Sequence, residues 1–358
     1  MTERGTVWSE KDTTPSAVEE ALREMLTARL VAGESYAPAR VLNLVVIADR
    51  EWRGEIQNRL DKVGRYHGSR TILCAVEQGR TTIDAWASIA AEEEDLEDED
   101  GLAVAHEQVV LDIGPAHLEH LDRIVDPLLV IDLTTLVWSP HGHDEAVDSL
   151  MRLCQSVLLD SISELDAEAA VARAMDLTQR AYVVDLAWLR STPWRERVAA
   201  TFDPPQWRPE LGRIAAVTVR HHPDSTVAAA LLIGWLARRL GWEPERLTGP
   251  DADGRCSGVA AAPHGEVALL LDPDRSMPVP GLAGLTVETA PGLSVSLDRG
   301  PGGLSARRRT ADGHESSWTV LGASRGESGI LGEGIRQALL RDKAYGQALS
   351  AAGTMLCP

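Results

Sequence analysis

One phenylalanine, no two cysteines at C-x-x-C spacing, no glycine-rich phosphate loop and a shortage of basic residues mark this chain before any positive feature does. Cys74, Cys154, Cys256 and Cys357 are scattered, so neither a zinc ribbon nor a local redox pair can be assembled from sequence neighbours. Cys74 ends an apolar run and Cys154 sits in an apolar helical pattern, which predicts small buried hydrophobes. The penultimate Cys357 is expected at the surface. The 35 lysines and arginines leave the 54 acids in excess, for a formal charge of −19. That balance excludes nonspecific binding to nucleic acid or anionic membrane, both of which need a basic face. No apolar run approaches the roughly 20 residues of a bilayer span, and Met1 leads into polar residues rather than a signal sequence, so a cytoplasmic protein is expected. Neither G-x-G-x-x-G nor a Walker lysine motif occurs, and no H-E-x-x-H pair supplies ligands, so no cofactor and no metal is expected.

What is present predicts two folded parts. At 358 residues and 44% hydrophobic content, the chain is longer than a single core usually supports. Thr14-Pro15-Ser16 opens a helix that places Val18, Leu22, Met25, Leu26 and Leu30 at helical spacing. Residues 41–48 are apolar apart from Asn43, as a strand covered on both faces should be. A helix over 51–63 and a strand over 70–76 then make a βαβ unit with a right-handed crossover. Eight acids between 92 and 100 read as a solvated insertion, near 91–101, inside this domain. Strands over 108–113 and 128–137, with a helix starting near Pro115 between them, complete an α/β, Rossmann-like, mostly parallel sheet. A helix over 143–154, a strand over 156–159 and a helix capped by Ser163 follow. The N-terminal α/β domain is assigned to 1–206, its end marked by Asp203-Pro204-Pro205. The α+β domain, 207–358, is expected to hold a strand over 213–220, an Ala- and Leu-rich helix ending at Gly241, an antiparallel meander between 254 and 322, and one final helix over 332–351.

Ten tryptophans stand against the single phenylalanine, and a large apolar side chain with an N–H donor suits half-buried and interface positions. Two of them lie in the most distinctive segment, 184–203, read VDLAWLRSTPWRERVAATFD. Thr192 is placed to cap a helix with Pro193 as its first residue, where the missing N–H costs nothing. The helix then runs over 194–202, with Trp194, Val198 and Phe202 on one stripe and Arg195, Glu196 and Arg197 beside it. Such a segment docks. It contains no catalytic set.

Residues 185–195 resemble the D-L-A-W-x-R-x-T-P-W-R segment of the glucose-6-phosphate dehydrogenase assembly proteins called OpcA. Four further blocks agree in order: RVLNLVVIADR at 40–50, YHGSRTILC at 66–74, the apolar stretch ending at Trp138, and AALLIGWLARRLGW at 229–242. Ser139 departs from the pattern, where a second tryptophan is expected, and no role for a paired aromatic is carried over. The resemblance implies a noncatalytic partner of glucose-6-phosphate dehydrogenase in the oxidative pentose phosphate pathway, one that binds the enzyme and favours its active oligomeric state. Trp188, Arg190, Trp194 and Arg195 are the candidate contact residues, because Trp and Arg are the commonest energetic anchors at interfaces. Packing within the domain remains the alternative role for both tryptophans. The competing functional reading is a sugar-phosphate-binding protein or enzyme using a crevice at the carboxyl ends of the first-domain strands.

Four other patterns are weaker. Gly322-Ala-Ser-Arg-Gly326 matches a G-x-S-x-G nucleophile elbow, but that arrangement needs a histidine after the serine, and the last histidine is His314. His141-Gly-His143-Asp144 is too short to fix a metal geometry and is read as a turn. His221-His222 is read as a strand-end turn, with anion contact at the start of the following helix as the alternative. Gly300-Pro-Gly-Gly303 reads as a hairpin turn, and Arg307-Arg-Arg309 as decoration of a solvent edge in preference to a phosphate-binding set.

Overall fold

The computed structural model describes residues 6–31, 40–64, 68–91, 105–162, 166–300, 303–321 and 326–357. The first half of the chain runs β1 (Thr6–Glu10), α1 (Pro15–Val31), β2 (Leu42–Asp49), α2 (Arg53–Gly64), β3 (Ser69–Val76), β4 (Asp84–Ala91), β5 (Ala105–Ile113), α3 (Leu121–Val125), β6 (Thr134–Trp138), α4 (Asp144–Leu150), β7 (Ser156–Leu159), α5 (Ala167–Arg180), β8 (Tyr182–Asp185), α6 (Leu186–Arg190) and α7 (Thr192–Phe202). The second half runs β9 (Ile214–His221), α8 (Thr226–Leu240), β10 (Glu243–Pro244), β11 (Cys256–Ala262), β12 (Gly265–Pro273), β13 (Leu282–Thr289), β14 (Ser294–Gly300), β15 (Gly303–Arg309), β16 (Glu315–Leu321), α9 (Glu327–Leu340) and α10 (Ala344–Leu356). Two compact units alternate along the chain: unit 1 comprises 1–159, 180–183 and 327–339, and unit 2 comprises 160–179, 184–326 and 340–358. Residue 207, the expected boundary, lies inside unit 2. There α7 packs against β14 in the same core.

The sheet of unit 1 has the order β1-β4-β5-β3-β2-β6-β7-β8. Its centre is parallel, with β3 and β6 on either side of β2 and β5 beyond β3, and this is the Rossmann-like arrangement that the apolar runs predict. Every residue of β2 except Asp49 is buried. The one polar residue in that run has a structural task. Asn43 donates to the Val130 carbonyl at 3.0 Å and accepts from the Val130 N–H at 2.9 Å, pinning the turn that precedes β6. The expected strand over 128–137 is accordingly shortened to Thr134–Trp138, because Val130 hydrogen-bonds to a side chain rather than to a ladder.

Other boundaries move for local reasons. The helix expected from Pro115 begins as a 3-10 turn over Pro115–His120 before α3, and α4 stops at Leu150 rather than Cys154. The edge strand β1 and its neighbour β4 were not expected. They pair antiparallel with each other and, through β4, with β5. Four alanines in β4 give it little strand propensity of its own, and burial of Ala85, Ala87 and Ile89 overrides that weakness. The acidic run 92–100 lies outside the described residues, as does Ser163.

The sheet of unit 2 has the order β10-β11-β12-β9-β13-β14-β15-β16. The expected meander is found in β13 to β16, whereas β12 returns parallel to β9. Helix α8 is buried along most of its length, packs on β9 and β12, and lies against α10. It ends at Gly241, whose φ of 70° is the left-handed conformation that glycine adopts without steric penalty. The single final helix is in fact two. Arg341 has φ 55°, which ends α9, and the Asp342 carboxylate accepts from the Ala344 N–H at 3.0 Å to start α10. Among the described residues no helix is long and apolar enough to cross a membrane.

Candidate functional site

The segment 185–202 folds as two short helices locked to each other within unit 2. Asp185 ends β8 and caps α6, its carboxylate accepting from the N–H groups of Ala187 at 2.9 Å and Ser161 at 3.2 Å. Burial pushes its pKa up to about 6, and the neighbouring Asp160 adds to the shift. The Tyr345 hydroxyl on α10 reaches the same carboxylate at 3.4 Å. Ser191, rather than Thr192, supplies the carbonyl that opens α7, accepting from the Arg195 N–H at 3.1 Å. Pro193 remains in the first turn, where no intrahelical donor is needed.

The four candidate contact residues take distinct places. Trp188 is 4% exposed and tilts against the Tyr345 ring at 6.0 Å. Trp194 is also 4% exposed and shares its buried stripe with Val198 and Phe202. Arg195 lies over the Trp188 ring, 3.5 Å from the centroid. Its Nη2 donates to the Thr192 hydroxyl at 2.8 Å and its Nε to the Ser191 hydroxyl at 3.2 Å. Burial lowers its pKa to about 10, which still leaves it charged at neutral pH. Arg190 forks onto Asp160 through two hydrogen bonds of 2.8 and 2.7 Å, the planar pairing for which guanidinium is suited. The packing role therefore applies to both indoles, and the partly exposed guanidiniums stand on Trp188 (Arg195) and on Asp160 (Arg190). Asp160 and Tyr345 were missed in sequence, since nothing local relates a residue 30 or 160 positions away to this segment. The cap Asp185 was readable, as an acid directly before an apolar helical run.

The carboxyl ends of the unit 1 strands hold a second cluster. Arg50 meets Glu77 at 2.5 Å and Arg53 meets Asp112 at 3.1 Å, so the acids of the strand ends neutralise these guanidiniums. His143 Nε2 lies 3.1 Å from Asp49, and the His141 ring sits 5.5 Å from that of Trp52, which is 44% exposed. Burial lowers the pKa of His141. No group of three or more His, Cys, Asp or Glu able to hold a metal ion occurs among the described residues. In unit 2, a cavity of about 660 Å³ opens where the parallel strands β9 and β12 end, lined by His221, Thr226, Arg246, Cys256, Pro273 and Arg275. His222 turns the chain there, its ring accepting from the Asp224 N–H.

The remaining motifs resolve in part. Gly300 and Gly303 pair across the β14–β15 hairpin. Residues 322–325 of the G-x-S-x-G pattern lie outside the described residues. The arginine triplet is not an edge decoration: β15 is interior to its sheet, and Arg308 is held between two indoles while Arg307 and Arg309 face solvent. Cys74 and Cys154 are buried as expected, with burial raising their thiol pKa values to about 12 and about 11. Cys357 is half-buried rather than exposed, its thiol 3.7 Å from the Glu168 carbonyl.

Comparison with known proteins gives two family matches. Residues 60–176 match the glucose-6-phosphate dehydrogenase subunit N-terminal domain, and residues 181–349 match the subunit's C-terminal domain. Curated relatives under the provisional name OxPP cycle protein OpcA include those of Synechococcus elongatus, 33% identical over 142 residues, and Nostoc punctiforme, 30% identical over 142 residues. Each match covers 38% of this chain and about a third of the relative, 32% and 30% respectively. Among solved structures, the WlbA dehydrogenase from Thermus thermophilus in complex with NAD and alpha-ketoglutarate aligns with a TM-score of 0.44 and 16% identity, over 88% of this chain and 96% of that one. The two domain matches, in order and covering most of the sequence, show that the chain belongs to the OpcA family of glucose-6-phosphate dehydrogenase assembly proteins.

Proposed function

We propose that this protein is a noncatalytic partner of glucose-6-phosphate dehydrogenase in the oxidative pentose phosphate pathway, binding the enzyme and favouring its active oligomeric state. The observation that carries the reading is the pair of matches to domains described as dehydrogenase subunit domains. Its physical content is a population shift. A partner raises the active fraction of an enzyme only by binding the active form more tightly than the inactive one, and a tenfold shift takes about 1.4 kcal/mol of preference. Arg190 and Arg195 are the proposed contacts. Trp188 supports Arg195 from beneath and Asp160 holds Arg190, so that little side-chain entropy remains to be lost on docking. The competing sugar-phosphate reading is disfavoured at the unit 1 strand ends, where an anion would have to displace Glu77 from Arg50 and Asp112 from Arg53.

The test mixes purified chain with the dehydrogenase and follows activity and oligomeric state by light scattering. Both are expected to rise together and to saturate, and Arg190→Ala with Arg195→Ala is expected to weaken the effect. An unchanged activity and oligomeric state at saturating chain defeats the proposal, as does turnover of a metabolite by the chain alone.

A further inference from the structure

Some arginines of unit 2 meet a carboxylate, as Arg190 meets Asp160, Arg213 meets Glu210, and Arg255 meets Asp272. Arg197 on α7 and Arg308 on β15 do not. Among the described residues neither has an acidic partner, although the chain carries 54 acids. Each also has its Nε buried with no hydrogen-bond partner. Arg308 is held at 4.4 and 5.2 Å from the Trp207 and Trp318 ring centroids and donates one Nη2 hydrogen bond, of 2.8 Å, to the Thr201 carbonyl. The two side chains line one cleft of about 330 Å³, together with Thr201, Ala306, Ser316 and Trp318.

A guanidinium drawn out of water without a counter-charge is costly, and indole faces return only part of that cost. Arg197 and Arg308 bring two guanidiniums into one cleft, each with a buried Nε that no protein group accepts from, so an anion entering the cleft would supply the missing counter-charge. Burial lowers the pKa of Arg308 without removing its charge at neutral pH. A phosphate monoester carries about −1.5 to −2 charges near neutral pH and matches two planar donor forks, where a single carboxylate balances only one. The Trp318 wall adds an apolar surface for the carbon skeleton of such a ligand. The cleft is at the small end of the roughly 300 to 1,000 Å³ range of ligand sites. We propose that the Arg197–Arg308–Trp318 cleft binds a phosphate monoester whose carbon skeleton packs on the indole. This site is separate from the Arg190 and Arg195 contacts and stands whether or not the chain binds a dehydrogenase.

Calorimetric titration of the full chain with inorganic phosphate, phenyl phosphate, benzoate and phenol separates the terms. Saturable binding of phenyl phosphate is expected, about tenfold tighter than inorganic phosphate and than benzoate, with no binding of phenol. Arg197→Met is expected to weaken phenyl phosphate at least about tenfold without changing Tm, and Trp318→Leu to bring it to the level of inorganic phosphate. Arg246→Met, in the larger cavity, should bind as the parent does. No saturable heat up to about 10 mM phenyl phosphate, equal binding by Arg197→Met, or loss in Arg246→Met instead overturns the proposal. So does tighter binding of benzoate, or of an aspartate-rich peptide, which would assign the cleft to a carboxylate.

Discussion

Asp185 shows how much a single buried acid can set. An unfolded aspartate titrates near 3.9, whereas this one titrates at about 6 because burial disfavours its charge. Across that window the folded chain keeps a proton that the unfolded chain has released, so this residue makes stability fall as pH rises from about 4 to about 6. Above the folded value the cost is constant, at roughly 3 kcal/mol. Asp185→Asn keeps an oxygen for the Ala187 and Ser161 N–H groups and removes the charge. Urea unfolding is expected to show the variant more stable than the parent at neutral pH, with the gap closing towards pH about 4. A variant that is less stable at neutral pH, by an amount independent of pH, would mean that the charged cap is what the helix needs. Trp194 answers the question that its sequence left open between packing and contact. With 4% of its surface exposed, truncation to alanine is expected to cost about 3 to 5 kcal/mol in the same assay, whether or not the dehydrogenase is present.

The helices α8 and α10 approach so closely that one hydrogen atom is all the space allows at Gly234. A β-carbon there would lie 2.4 Å from the Ala348 carbonyl oxygen, a backbone atom that moves only with its helix. At Gly353 the atom in the way is the Met175 sulfur, at 2.6 Å, the end of a flexible side chain. Gly234→Ala is therefore expected to lower stability by about 1 to 3 kcal/mol and Gly353→Ala by clearly less, and equal losses in Tm would contradict the contrast. Elements written as strong local patterns were legible in the sequence. The apolar runs of β2 and β3 gave the parallel core, and Trp194, Val198 and Phe202 gave the buried stripe of α7. Elements set by distant partners were not legible. Alanine-rich β4 becomes a strand only because β5 and β1 lie beside it. The α9–α10 break sits at Arg341, a residue with no glycine-like signature. The Arg197–Arg308 cleft joins positions more than a hundred residues apart, and Arg308 read alone looked like a surface charge.

Each compact unit gathers pieces of chain from both sides of the other. A fragment beginning at 207 omits α5, α6 and α7 from the core of unit 2, with the buried Trp188, Trp194, Val198 and Phe202. Circular dichroism is expected to show a broad, noncooperative melt for 207–358 and a cooperative one for 160–358. Equal cooperativity would show that 207 is a true domain boundary. The alternation also imposes an order on synthesis. Unit 1 waits for the residues of α9, which leave the ribosome after nearly all of unit 2 has been made. At translation rates of 5 to 20 residues per second, the sheet, of which all but β8 has been made by residue 159, is without that helix for about 10 to 30 s. A nascent chain of this protein is expected to bind chaperones during that interval.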